Sequence, residues 1–188
     1  MHGASNFYDW LDAIPDGLLE VSIDRLTTLI PRPTIVTVPG RRPEAVFIST
    51  LLHGNEHTSF LAMQRVLSRL LKRNDLLPRT IHWLIGNVDA AAKNLRHLPE
   101  QPDFNRVWAG GESPEAEAAV SLANFMRTKN LFASIDIHNN TGRTPHYVLV
   151  SKMEPPDLHL AELFSRTAIY YRHPNTVQSF VFSEFCPA

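Results

Sequence analysis

A change of hydrophobic period around residue 53 constrains this chain more than any other feature. Ala45-Val46-Phe47-Ile48-Ser49-Thr50-Leu51-Leu52 is a short, mostly apolar run rich in strand formers. That is the pattern of a parallel strand buried on both faces. From Glu56 onward Phe60, Met63, Val66, Leu67, Leu70 and Leu71 recur at steps of three and four, the period of an amphipathic helix. Between the two lies His53-Gly54-Asn55-Glu56, with Gly54 where a sharp turn would bring a Cβ into collision. A buried strand thus hands over to a helix at a histidine and a glutamate. In open α/β sheets the carboxyl ends of the strands form the crevice that binds ligands.

A second strand pattern, Leu131-Phe132-Ala133-Ser134-Ile135-Asp136-Ile137-His138, ends in another histidine. Period-two alternation puts Asp136 and His138 on one face and Ile135 and Ile137 on the other. His53, Glu56 and His138 together offer an N/O/N donor set, the composition of catalytic zinc sites that keep a fourth position open. A structural zinc site more often closes with four ligands including thiolates, and this chain has one cysteine. His-x-x-Glu alone is a short motif of low specificity, and a lone strand-end histidine is more often merely hydrogen bonded. Pro102-Asp103-Phe104-Asn105-Arg106 adds weight. It reads either as an ordinary Asx turn or as an amide and a guanidinium fork suited to a carboxylate.

The remaining pattern predicts an α/β fold: a mixed, largely parallel central sheet flanked by helices, in one domain over residues 1–188. Phe7 to Leu11 and Leu18 to Leu26 read as helical or mixed segments. Thr34 to Val38 reads as an edge strand that Pro39-Gly40 turns, hairpin-like, into the Ala45 strand. Thr80 to Asn87 is the next strand, with His82 packed at an edge. Ser113 is a candidate N-cap with Pro114 at the first helical position and Glu115 and Glu117 in the first turn, for a helix to about Lys129. His146 to Val150 reads as a strand. Leu158 to Tyr171 reads as a helix with Leu160, Leu163, Phe164 and Ala168 turned to the core.

Taken in order, His53-Gly-Asn-Glu56, Asp103-Phe-Asn-Arg106 and Asp136-Ile-His138-Asn139 resemble the zinc carboxypeptidase superfamily. The wording is closest to its succinylglutamate desuccinylase/aspartoacylase branch, and Gly86-Asn87-Val88-Asp89-Ala90 resembles that branch's Asn-Pro-x-Ala stretch. The resemblance implies one Zn2+ per chain on His53, Glu56 and His138. It implies substrate carboxylate binding by Arg106 with Asn105, and Asp136 fits the hydrogen-bond acceptor that orients a ligand histidine. Arg96 is the nearest candidate for the arginine that polarises the scissile carbonyl, with a solvated loop arginine as the alternative. The implied activity is deacylation, hydrolysis of the amide bond of a small carboxylate-bearing N-acyl amino acid, a carbon–nitrogen bond other than a peptide bond. A metallocarboxypeptidase acting on peptides and a non-catalytic zinc-binding domain remain open.

One departure concerns the general base. The branch uses a late glutamate followed closely by glycine, whereas Glu184 is followed by Phe185-Cys186-Pro187. The expectation is that the base lies beyond Ala188 and that the domain is truncated at its C-terminal end, with Glu184 itself as the alternative base. Cys186 reads as a small buried hydrophobe.

Composition narrows the partners. A net charge of −1 and no basic stripe argue against nucleic acid. No apolar stretch reaches the ~20 residues that span a bilayer, and the acidic start, Asp9 to Glu20, lacks the apolar core of a signal peptide. One cysteine fits a reducing, cytoplasmic compartment. A homo-oligomer is left open.

Overall fold

The strand expected at residues 45–52 is the middle of a sheet. In the computed structural model, which describes residues 6–73, 76–140 and 142–171, β3 (Gly40–Thr50) runs between β4 (Leu77–Ile85) and β5 (Leu131–Asp136), parallel to both. β2 (Thr34–Val38) pairs antiparallel with the other side of β4, and β1 (Asp9–Leu11) pairs parallel with β2. The order is β1-β2-β4-β3-β5. The fold class is the expected one, α/β with a mixed, mostly parallel sheet and helices. The described residues fall into two compact units that divide after Asn139, and this sheet belongs to the first.

Period-two alternation explains the layering. Val36, Ile48, Trp83 and Ile85 pack with Phe60, Met63 and Leu67 of α1 (His57–Leu71). Ile35, Phe47 and Leu84 pack with Ala119, Leu122 and Met126 of α3 (Pro114–Arg127). Adjacent residues of one strand therefore serve opposite clusters. α3 starts as expected: Ser113 Oγ accepts from the Ala116 N–H at 3.2 Å, with Pro114 in the first turn. The helix ends at Arg127.

Strand order departs from the expected hairpin. β4 inserts between β2 and β3, so that Ile81 faces Val38 on one side and Val46 on the other. The chain steps across β4 at Pro39-Gly40, where a Cβ on Gly40 would lie 2.2 Å from the Arg79 carbonyl carbon. Only glycine permits that approach. β2 is not an edge, because β1 covers it. Its partner β1 is a strand where a helical or mixed segment was expected, and Leu18 to Leu26 contributes only a 3-10 turn, Ile23–Thr28. His82 also lies on an interior strand, buried, with Nδ1 3.1 Å from Thr37 Oγ1.

In the second unit β6 (Val148–Val150) and β7 (Ala168–Tyr170) pair in parallel and α4 (Pro155–Phe164) connects them. The helix expected over residues 158–171 thus stops at Phe164, and Ser165 is already extended. The β-branched and aromatic content of Thr167-Ala168-Ile169-Tyr170 favours a strand. The expected core face is not seen in this unit: Ala161 is buried, while Leu163 and Phe164 are exposed. No helix among the described residues is long and apolar enough to cross a membrane.

Candidate metal centre

The three parallel strands β3, β4 and β5 end on the same side of the sheet. His53 follows β3, Asn87 follows β4 and His138 follows β5. The turn after β3 is tightly determined. Leu51 takes a left-handed φ of 56°, costly for a residue with a Cβ. Its carbonyl accepts the Asn87 N–H at 2.7 Å, and the Gly86 N–H binds the Thr50 carbonyl at 2.9 Å. Gly54 presses on α2 (Val88–Ala92): a Cβ there would lie 2.3 Å from the Ala91 nitrogen. The expected turn glycine is therefore required by close approach, not by a positive φ. Gly54→Ala must push two backbone segments apart, and overpacking of this kind costs about 1–3 kcal/mol or more. Urea unfolding should show the loss, and an unchanged midpoint would refute the packing argument.

Glu56 is the N-cap residue of α1, yet its carboxylate makes no cap hydrogen bond. It is turned instead to both histidines. Oε1 lies 2.7 Å from His53 Nδ1, and Oε2 lies 2.7 Å from His138 Nδ1. The Asn139 N–H donates to Oε2 at 2.8 Å. Ligand atoms of His53, Glu56 and His138 all lie within 4.8 Å of one another.

Each imidazole has a second carboxylate on its far nitrogen. Asp103 Oδ1 sits 3.0 Å from His53 Nε2, and Asp136 Oδ2 sits 2.7 Å from His138 Nε2. Asp136 Oδ1 accepts from the Ser49 hydroxyl, whose residue is its register partner on β3. Asp103 Oδ2 accepts from Arg96 Nε at 3.0 Å and Nη2 at 2.8 Å, and Oδ1 takes the Asn105 N–H at 2.8 Å. Two imidazoles and a carboxylate with outer carboxylates on the imidazoles suit a divalent ion such as zinc, because such partners fix tautomer and ring orientation.

The electrostatics follow from this crowding. Burial works against charge on every group, but the hydrogen bonds outweigh it. For His138, the Asp136 charge and its hydrogen bond, together with Glu56, push the imidazole up to about 10 from 6.5. Burial lowers His53, yet bonds to Asp103 and Glu56 leave it raised. Glu56, which burial would raise, is drawn down to about 2 by His138 and His53. Asp103 is likewise held well below the carboxylate range, mainly by His53.

Among the other expected residues, Asn105 is buried and its amide lies 3.1 Å from His138 Nε2. Arg106 is half-buried, with Nη1 donating to the Asn105 carbonyl at 2.7 Å. Arg96 joins the cluster through Asp103, and its Nη1 is 4.0 Å from Glu56 Oε1. Glu184 and Cys186 lie outside the described residues. Sequence reasoning missed Ser49 and the contact of Asp103 with His53. Ser49 did leave a trace, as a polar residue in an apolar strand.

The chain is similar to known proteins. The sequence model of the Succinylglutamate desuccinylase/Aspartoacylase catalytic domain matches residues 43–178, well over half of the chain and across both units. The succinylglutamate desuccinylase of Shewanella frigidimarina (strain NCIMB 400) is 25% identical over 99 residues, 49% of this chain and 28% of that protein. The chain thus covers under a third of that relative's length. The crystal structure of succinylglutamate desuccinylase from Vibrio cholerae superposes with a TM-score of 0.51 at 16% identity, over 71% of this chain and 48% of that one. That likeness supports the fold. The chain belongs to the succinylglutamate desuccinylase/aspartoacylase catalytic-domain family.

Proposed function

We propose that this chain is the metal-binding part of a zinc-dependent hydrolase that cleaves the amide bond of an N-acyl amino acid. One observation carries the reading: a single carboxylate, Glu56, faces Nδ1 of both His53 and His138, while Asp103 and Asp136 hold the two Nε2 atoms. His53, Glu56 and His138 would hold one zinc ion. Bound there, it would polarise the scissile carbonyl and lower the pKa of a water to about 7.

The chain's own residues position and orient. Asp103 and Asp136 keep each imidazole in the tautomer that turns Nδ1 inward. Arg106 would take a substrate carboxylate through its planar fork, exchanging its bond to the Asn105 carbonyl for a bidentate one and spending binding energy on orientation. Asn105, buried against His138, would fix the loop that carries Arg106. The family match across both units supports treating them as parts of one catalytic domain. The single cysteine favours a reducing, cytoplasmic setting.

Metal analysis of this chain after dialysis, and assay of a zinc-loaded protein of its relatives' full length, test the reading. We expect about one zinc per chain, as in open three-ligand sites, and none in His53→Ala or His138→Ala. A zinc-loaded protein of its relatives' full length, general base included, should release free amino acid from N-succinyl or N-acetyl amino acids more readily than from peptides with a free carboxyl end. The reverse preference would favour a carboxypeptidase, and zinc uptake with no turnover of either would favour a binding domain. Arg106→Lys should lower kcat/KM for the preferred substrate by more than tenfold, about 1.4 kcal/mol, because an ammonium cannot reproduce the fork. A lysine variant of equal activity would remove Arg106 from the substrate.

A further inference from the structure

The two histidines are supported in different ways. The partner of His138, Asp136, ends β5 and is tied to Ser49 on β3, so the sheet itself fixes the carboxylate. The partner of His53, Asp103, lies in the long loop between α2 and α3, outside any helix or strand. A carboxylate in a loop orients an imidazole only if its own plane is held. Here Arg96 holds it, side-on, through Nε and Nη2 on Oδ2, while Oδ1 divides between His53 and the Asn105 N–H. Arg96 is anchored at its other end too, because its carbonyl accepts the Gly54 N–H at 3.0 Å, one residue after His53.

We propose that Arg96 is a positioning residue for metal binding, fixing the His53 ring through Asp103. This inference rests on the reading of His53, Glu56 and His138 as a metal site. Two of the three guanidinium nitrogens of Arg96 are committed to Asp103, and the third lies 4.0 Å from Glu56, so this role is additional to any contact of Arg96 with a scissile carbonyl. The geometry of the fork matters, because a planar guanidinium fixes a carboxylate plane and an ammonium does not.

Zinc affinity, measured by competition with a chromophoric chelator, tests this. Outer partners of metal-binding histidines typically contribute 10–100-fold. Arg96→Met should therefore weaken zinc binding by about tenfold. Asp103→Asn should weaken it at least as much, and the double variant should be no weaker than Asp103→Asn alone, because Arg96 acts through Asp103. Arg96→Lys should fall between wild type and Arg96→Met, and it carries the same comparison should Arg96→Met fail to fold. Arg65→Met, on the exposed face of α1, is the surface control. Imidazole NMR should show the His53 ring signals moving in Arg96→Met, with those of His138 in place. Wild-type zinc affinity in Arg96→Met, or losses that add in the double variant, would overturn the proposal. A folded wild-type chain that takes up no zinc would overturn the metal reading itself and this inference with it.

Discussion

A Glu56→Gln chain should keep its fold and lose the zinc affinity proposed for this site. Glu56 makes no side-chain cap bond to α1, so the substitution removes no helix stop signal. It does remove the one anionic group that faces both Nδ1 atoms at 2.7 Å. An amide oxygen is a poor ligand for zinc beside two imidazoles, and the amide nitrogen would turn a donor toward one of them. The loss should exceed the 10–100-fold that an outer partner typically costs. In the metal-free state Asp136 and Asp103 remain the larger raising influences on His138 and His53, but the same change removes the carboxylate the two imidazoles share, so both should titrate somewhat closer to 6.5. Chelator competition and imidazole NMR titration measure the two effects separately. Zinc affinity within tenfold of wild type would show that Glu56 is not a ligand, and unmoved imidazole titrations would show that the carboxylate does not govern their charge.

What the sequence made legible and what it hid divide along physical lines. The strand-to-helix switch at His53 was legible because both sides of it carry strong periodicity: Phe60, Met63 and Leu67 are buried as their spacing requires, although Val66 and Leu71, on the same reading, are exposed. The Ser113 cap was legible because its signals are local. Strand order was not. Val36, Ile48 and Trp83 are equally apolar, and nothing in their pattern tells which strand sits between which. Gly40, the only trace of the crossing over β4, reads in sequence as an ordinary turn glycine. The end of α4 was misread because Ala168 falls on the helical period, whereas the β-branched neighbours that decide the local outcome leave no periodic mark.

The site divides in the same way. His53, Glu56 and His138 were singled out by residue type, and the structure brings their ligand atoms together. Asp136 was found because alternation places it two residues from His138. The contact of Asp103 with His53 joins residues 50 apart across a loop, and loop approach follows from tertiary packing that no spacing encodes. Ser49 could have been found from its partner: a buried hydroxyl in an apolar strand needs an acceptor, and the strand-end Asp136 is a natural one.

Metal uptake should be coupled to proton release, with stability trends of opposite sign in the two states. His138 is pushed up to about 10 from 6.5 in the metal-free fold. A raised group contributes stability that is fully present below its unfolded value, here about pH 6.5, and is lost as pH rises through about 10. Glu56 is drawn from 4.5 to about 2, so its contribution is present above about pH 4.5 and is lost as pH falls through about 2. The two shifts share one set of hydrogen bonds and count once. The metal-free chain should therefore be most stable near pH 5–6 and weaken toward pH 10. Zinc needs neutral imidazoles, so its contribution grows over the same range. Near pH 7, binding should release between about one and two protons, and each proton released makes the apparent affinity fall about tenfold per unit of acidification. Titration calorimetry in buffers of different ionisation enthalpy counts those protons. Thermal unfolding with and without zinc, from pH 5.5 to 9, should show the gap between the two widening upward. Zero protons released at pH 7, or a gap that narrows as pH rises, would mean that the histidines are neutral before the metal arrives and that the Asp136–His138–Glu56–His53–Asp103 chain does not hold charge.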